Sequence, residues 1–226
     1  MSEAQRNRAM IALVAFKLGD ELLREMAFVG GCTTALLLTD QYSMEQVRHT
    51  EDVDLIVHAI GMPGWHQLQK KLRERGFRED VSSPDAPICA MQLNGLRVDF
   101  MPDDETVLGW GNRWYRNALL TAENYPITDD LIIRLVLPSY FVATKLEAYR
   151  GRGHGDPLMS QDIEDILILL DGRPEIVANL NAAPTEVLRY VQAQFTSLLQ
   201  SNAFEHAVTA ASNQDAGREQ LIFERI

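Results

Sequence analysis

The chain has 226 residues, of which 46% are hydrophobic and 23% charged, and it carries a formal net charge of −11. That length suits one sizeable domain, or a compact core with a smaller second lobe, and the hydrophobic fraction excludes a disordered chain. No run of about 18 apolar residues is present to span a bilayer, so no membrane partner is expected, and a globally acidic chain is a poor generic binder of nucleic acid.

The N-terminus shows none of the order of a signal peptide (basic region, apolar core, small-residue cleavage site), and a cytoplasmic location is expected. Met10, Leu13, Val14, Leu18, Leu22 and Met26 recur near a 3.6-residue period, which predicts an amphipathic helix over 8–26. Ala27-Phe28-Val29 reads as a short strand that runs into Gly30-Gly31 and a second helical stretch over 34–38. The two cysteines, Cys32 and Cys89, are too few for a disulfide framework or a zinc site of their own. Residues 52–59 are β-rich and about one strand long. A helix is expected from Pro63-Gly64 through Arg75, with Gly76 as its stop. Lys70, Lys71, Arg73, Arg75 and Arg78 stand against Glu74 alone, so 66–78 is locally basic, either as a solvated helix surface or as a grip for a polyanion.

Two strands fit 88–93 and 96–101, joined by Asn94-Gly95, a strong hairpin signal. A short helix around 114–120 and an extended segment over 125–137 follow. Beyond Pro138 the pattern turns helical, over 139–149, 161–170, 184–199 and 202–211. A glycine-rich loop carrying Arg150, Arg152 and His154 is expected over 150–157. From residue 156 onward eleven acids face four bases. The expected fold class is α+β: a small mixed twisted sheet flanked by helices over 1–137, then a C-terminal helical lobe over 138–226.

Asp52-Val53-Asp54 is the chemical centre. In a strand, alternation puts both carboxylates on one face and buries Val53 on the other. Two carboxylates on one side repel unless a cation sits between them, and Mg²⁺ takes one or two carboxylates completed by phosphates and water. The same alternation in 96–101 points Asp99 and Arg97 together, and a hairpin strand that brings Asp99 to the first pair makes a triad for one or two metal ions. Gly30-Gly31 supplies a second half: a diglycine at a strand end lets backbone N–H groups approach a phosphate, with the hydroxyls of Thr33 and Thr34 close by.

On Phe28-Val-Gly-Gly-Cys-Thr-Thr-Ala-Leu-Leu, Arg48-His-Thr-Glu-Asp-Val-Asp-Leu-Ile-Val and Arg97-Val-Asp-Phe, the chain resembles the nucleotidyltransferase superfamily with a DNA-polymerase-β-like core. On Arg48 and Thr50 ahead of the aspartate pair, on Tyr140-Phe-Val-Ala-Thr-Lys-Leu-Glu-Ala-Tyr-Arg and on Ser160-Gln-Asp-Ile-Glu-Asp-Ile, it is most similar to the AbiEii-type toxin nucleotidyltransferases and their bacterial relatives. The likeness spans about 27–172. It implies transfer of a nucleoside monophosphate from an NTP onto a hydroxyl with Mg²⁺ or Mn²⁺, some relatives acting on tRNA 3′ ends, and an antitoxin protein as partner. By the same resemblance Asp52, Asp54 and Asp99 bind metal, Gly30, Gly31, Thr33, Thr34 and Arg48 serve the nucleotide, and Lys145 and Asp162 join the active site. Cys32 departs from many members of the family, in which a serine follows the first glycine or the run reads Gly-Gly-Thr-Ala-Leu. Two rival readings remain: an antibiotic-type adenylyltransferase acting on a small hydroxylated molecule, which suits the acidic chain, and a non-catalytic partner-binding protein on the same scaffold.

Overall fold

The computed structural model describes residues 1–80, 87–152 and 155–226, and shows an α+β protein with a seven-stranded mixed open sheet followed by a C-terminal helical region. Of the expected 150–157 loop, His154 lies outside the described residues. By internal contacts the chain forms two units, Met1–Thr33 with His49–Leu137, and Thr34–Arg48 with Pro138–Ile226.

The first unit opens with helix α1 (Glu3–Leu23), capped by Ser2, whose side chain accepts from Gln5 N while the Gln5 side chain accepts from Ser2 N. Of the expected stripe Val14, Leu18 and Leu22 are buried, together with Ile11, whereas Leu13 is exposed and Met26 lies beyond the helix end. Strand β1 (Met26–Val29) follows, entirely buried, then a 3-10 turn (Gly31–Thr33). Strand β2 (Asp52–Val57) precedes helix α4 (Gly61–Glu74), which buries Trp65, Leu68 and Leu72. The short β3 (Arg78–Glu79) and the hairpin of β4 (Ala90–Leu93) and β5 (Leu96–Pro102) come next. Asn94 and Gly95 both take positive φ (53° and 86°), the requirement of a two-residue hairpin turn whose twist matches the strands. Helix α5 (Tyr115–Thr121) then leads to β6 (Glu123–Thr128) and β7 (Leu131–Leu135).

The strand order is β3-β4-β5-β2-β1-β7-β6. β2 runs parallel to β5 and β1 parallel to β7, whereas β1–β2, β3–β4, β4–β5 and β6–β7 are antiparallel. The single extended segment expected over 125–137 is instead the β6–β7 hairpin, turning at Asp129-Asp130. Its β-rich residues had hidden a reversal that two adjacent acids, poor strand formers, mark. Pro126 fits because β6 is an edge strand, where a missing N–H costs no ladder bond. Arg8 covers that edge, donating from Nη2 to the carbonyls of Pro126 and Ile127 (3.0 and 2.6 Å).

The second unit is helical: α2 (Thr34–Leu37), α3 (Gln41–Glu45), α6 (Pro138–Gly151), α7 (Gln161–Gly172), α8 (Ile176–Asn181), α9 (Thr185–Leu198), α10 (Asn202–Ala211) and α11 (Ala216–Arg225). α7 is its hub, with α2, α3, α6, α10 and α11 packed against it. Ser160 caps α7, accepting from Ile163 N, and Arg150 belongs to the last turn of α6 rather than to a loop. The segment 34–48 is fixed to α7 where Gly172 O accepts from Thr39 N and Asp40 N. Arg218 of α11 closes the same corner by binding Asp40, Ser43 and Asp171 while stacking on Tyr42 at 4.2 Å. Helices α3, α8 and α11 have no counterpart among the sequence expectations. No helix among the described residues is long and apolar enough to cross a membrane.

Candidate metal centre

Alternation along β2 does what the sequence predicts: Val53 is fully buried while Asp52 and Asp54 face the other side, half-buried. Asp99 reaches them from β5, the second strand of the Asn94-Gly95 hairpin, which pairs in parallel with β2. The register sets Asp54 beside Asp99 and Asp52 beside Arg97. One carboxylate oxygen from each of Asp52, Asp54 and Asp99 lies within 4.8 Å of the others, and Asp99 is buried. At that separation each pair of ionised oxygens repels by about 3–4 kcal/mol at an effective dielectric near 20, a cost that a divalent cation between them reverses.

The glycine bend belongs to the same place. Val29 pairs with Asp54 across the antiparallel β1–β2 ladder, so Gly30 leaves β1 directly against the Asp54 side chain. Gly30 adopts φ +81°, and a Cβ there would overlap the Asp54 carboxylate, 2.8 Å from its Cγ. Only glycine satisfies both the left-handed backbone and the close approach. Gly31 and Thr33 are buried in the following turn, where the Thr33 hydroxyl donates to Gly30 O (2.8 Å). Three hard oxygen donors beside a backbone that admits no side chain suit Mg²⁺ or Mn²⁺ better than a soft-metal site built on thiolates.

Arg97 is the site residue whose role the sequence did not assign. Its Nε donates to Asp99 Oδ1 (2.9 Å) and its Nη2 to Asp99 Oδ2 (2.8 Å), and this fork holds the guanidinium pKa above its already high ordinary value. The signal was the i, i+2 spacing on one strand face. Cys89, one of two buried free cysteines, has its thiol pushed up to about 12, by burial first and then by the charge of Asp99.

In the helical unit, Lys145 lies buried between two aspartates, its Nζ 3.0 Å from Asp162 Oδ1 and 2.7 Å from Asp165 Oδ2. Burial alone would lower the lysine pKa, but the charges and hydrogen bonds of Asp165 and Asp162 outweigh it and leave the pKa above the ordinary value. Arg48 forks onto Asp165 (Nε–Oδ1 3.2 Å, Nη2–Oδ2 3.1 Å), and Arg152 reaches Asp162 at 3.3 Å. Sequence reasoning selected Asp162, but Asp165, fully buried, is the residue that joins Arg48 to Lys145. Its i, i+3 spacing from Asp162 was the available signal. Thr34, in the same unit, is buried, and its hydroxyl has no hydrogen-bond partner among the described residues.

The expected residues thus fall into two groups: Asp52, Asp54, Asp99, Gly30, Gly31 and Thr33 in the sheet unit, and Arg48, Lys145, Asp162 and Thr34 in the helical one. No protein-family model matches the chain, and no curated protein matches it.

Proposed function

We propose that the protein is a divalent-metal-dependent nucleotidyltransferase that moves a nucleoside monophosphate from an NTP to a hydroxyl. The observation that carries this reading is the convergence of Asp52, Asp54 and Asp99 on one sheet face with Gly30 set against Asp54. Asp52, Asp54 and Asp99 would hold Mg²⁺ or Mn²⁺, which when bound offsets the charge of a transferring phosphoryl group. Gly30 and Gly31 leave room for the triphosphate, with Thr33 as a neighbouring hydroxyl. A carboxylate of the triad takes the proton of the attacking hydroxyl as its oxygen bonds to the α-phosphorus and pyrophosphate leaves. Within the helical unit, Asp165 and Asp162 keep Lys145 protonated, and Asp165 fixes the Arg48 fork. Positioning and electrostatics supply most of the rate in such chemistry.

Two acceptors fit the chemistry, an RNA 3′ end or a small hydroxylated molecule of the antibiotic type. On the basic face around α4, Lys71 is paired with Glu21 (3.1 Å) and Arg73 with Glu79, which leaves less free charge for an RNA backbone and favours the small acceptor. The test incubates the full chain with Mn²⁺ and NTPs labelled at the α-phosphate, with bulk tRNA in one arm and aminoglycosides in the other. Transfer of label, reduced about 1000-fold or more by Asp54→Asn, is the expected result. No transfer in either arm, with no effect of Mn²⁺ or NTP on thermal stability, would replace the enzyme by a partner-binding protein on this scaffold, its partner then being an antitoxin-like protein.

A further inference from the structure

Asp99 arrives at the triad already engaged. Both of its oxygens accept from the Arg97 fork, so in the metal-free chain one of the three negative charges is matched by a guanidinium that stays charged at any working pH. Arg97 sits beside Asp52 in the β2–β5 register and opposite Gln92 in the β4–β5 register. Gln92 in turn donates to Asp80 (2.9 Å), so a second carboxylate lies next to the arginine on the side away from β2. The Arg97 side chain is 42% exposed while that of Asp99 is 12% exposed. The arginine head can therefore shift toward solvent and Asp80 without opening the core, whereas Asp99 is held in place.

We propose that Arg97 is a resident counter-cation of the triad: it holds Asp99 in position when no metal is bound, and an incoming divalent ion must win Asp99 from it, so that Arg97 sets the metal affinity of the site. This rests on the reading of the triad as a metal centre and deepens it. Arg97 acts through Asp99 and is a positioning residue. Among the same three carboxylates a divalent ion gains about twice the Coulomb attraction of a monovalent one, against the same cost of displacing the bidentate guanidinium. The arrangement thus favours divalent over monovalent ions.

The test reads Mn²⁺ binding directly, from the electron paramagnetic resonance signal of free Mn²⁺, on full-length wild type, Arg97→Gln, Arg97→Lys and Asp54→Asn. Arg97→Gln is expected to bind Mn²⁺ about tenfold more tightly than wild type, because the competitor for Asp99 is gone and Asp99 has lost its guanidinium. Arg97→Lys falls between them, since it keeps the charge without the fork, and Asp54→Asn loses the binding. In EDTA, Arg97→Gln melts below wild type, and Mn²⁺ closes the gap. Equal or weaker Mn²⁺ binding by both Arg97 variants, with wild-type binding intact, overturns the proposal alone. If Arg97→Gln does not fold, Arg97→Lys decides it by the same criterion. A wild type that binds no Mn²⁺ overturns the metal-centre reading on which the proposal stands.

Discussion

Gly30 and Asp54 share one small volume: the first residue after β1 presents bare backbone where the Asp54 carboxylate lies, and any side chain at position 30 would displace it. The antiparallel pairing of Val29 with Asp54 creates this contact, and the φ of +81° at Gly30 keeps it. Gly30→Ala should therefore damage the site in two ways. The methyl pushes on Asp54, and the left-handed backbone is strained, for a combined loss of about 1–3 kcal/mol in stability. Thermal denaturation should show that loss, and Mn²⁺ titration should show weakened binding. An alanine variant with wild-type Mn²⁺ affinity would mean that Asp54 is not a ligand.

Removing one charge from the triad should have opposite effects with and without metal. Asp54→Asn relieves repulsion toward Asp52 and Asp99, so the variant in EDTA should be more stable than wild type by about 1–2 kcal/mol. Added Mn²⁺ should stabilise wild type and leave the variant unmoved. Paired melting curves check both statements, and a variant less stable than wild type in EDTA would contradict the clustering of the carboxylates.

Lys145 separates two buried carboxylates, and its removal leaves them facing each other. Lys145→Met should cost about 3–5 kcal/mol, measured by urea unfolding at neutral pH. The pH dependence has a defined sign. The folded-state pKa lies above the unfolded value near 10.5, so the lysine contribution is complete below pH 10.5 and disappears as pH rises through the folded pKa. Wild type should thus lose stability in the alkaline range, and the methionine variant should lack that component.

Cys89 should be inert in the native chain. Burial and the nearby Asp99 charge keep its thiol protonated up to about pH 12, and Cys32 is equally buried. A thiol reagent at pH 8 should react slowly with native protein and quickly with two thiols in denaturant. Fast reaction at Cys89 in the native state would show that the β4–β5 region opens readily.

Much of the fold follows from local rules that the sequence carries. The 3.6-residue stripe of α1, the Asn94-Gly95 turn between β4 and β5, the Ser160 cap of α7 and the in–out alternation around Val53 each depend on residues close in the chain. The shared face of Asp52 and Asp54, and the shared face of Arg97 and Asp99, were legible for the same reason: a strand repeats every two residues whatever lies beside it. The β6–β7 reversal and the short helices α3 and α8 were not legible, because a two-residue turn or a single helical turn gives no periodic signal of its own.

The sequence by itself determined which side chains face together on each strand and where glycine is permitted to turn the chain. Tertiary structure alone decided that β5 lies parallel to β2 with Asp99 level with Asp54, that Gly30 closes on Asp54, that the Arg97 fork occupies both Asp99 oxygens, and that 34–48 packs with the C-terminal helices. Strand order and register are set by which buried faces fit one another over the whole sheet. That fit is a non-local balance of apolar burial and charge, with no trace in the spacing of neighbouring residues.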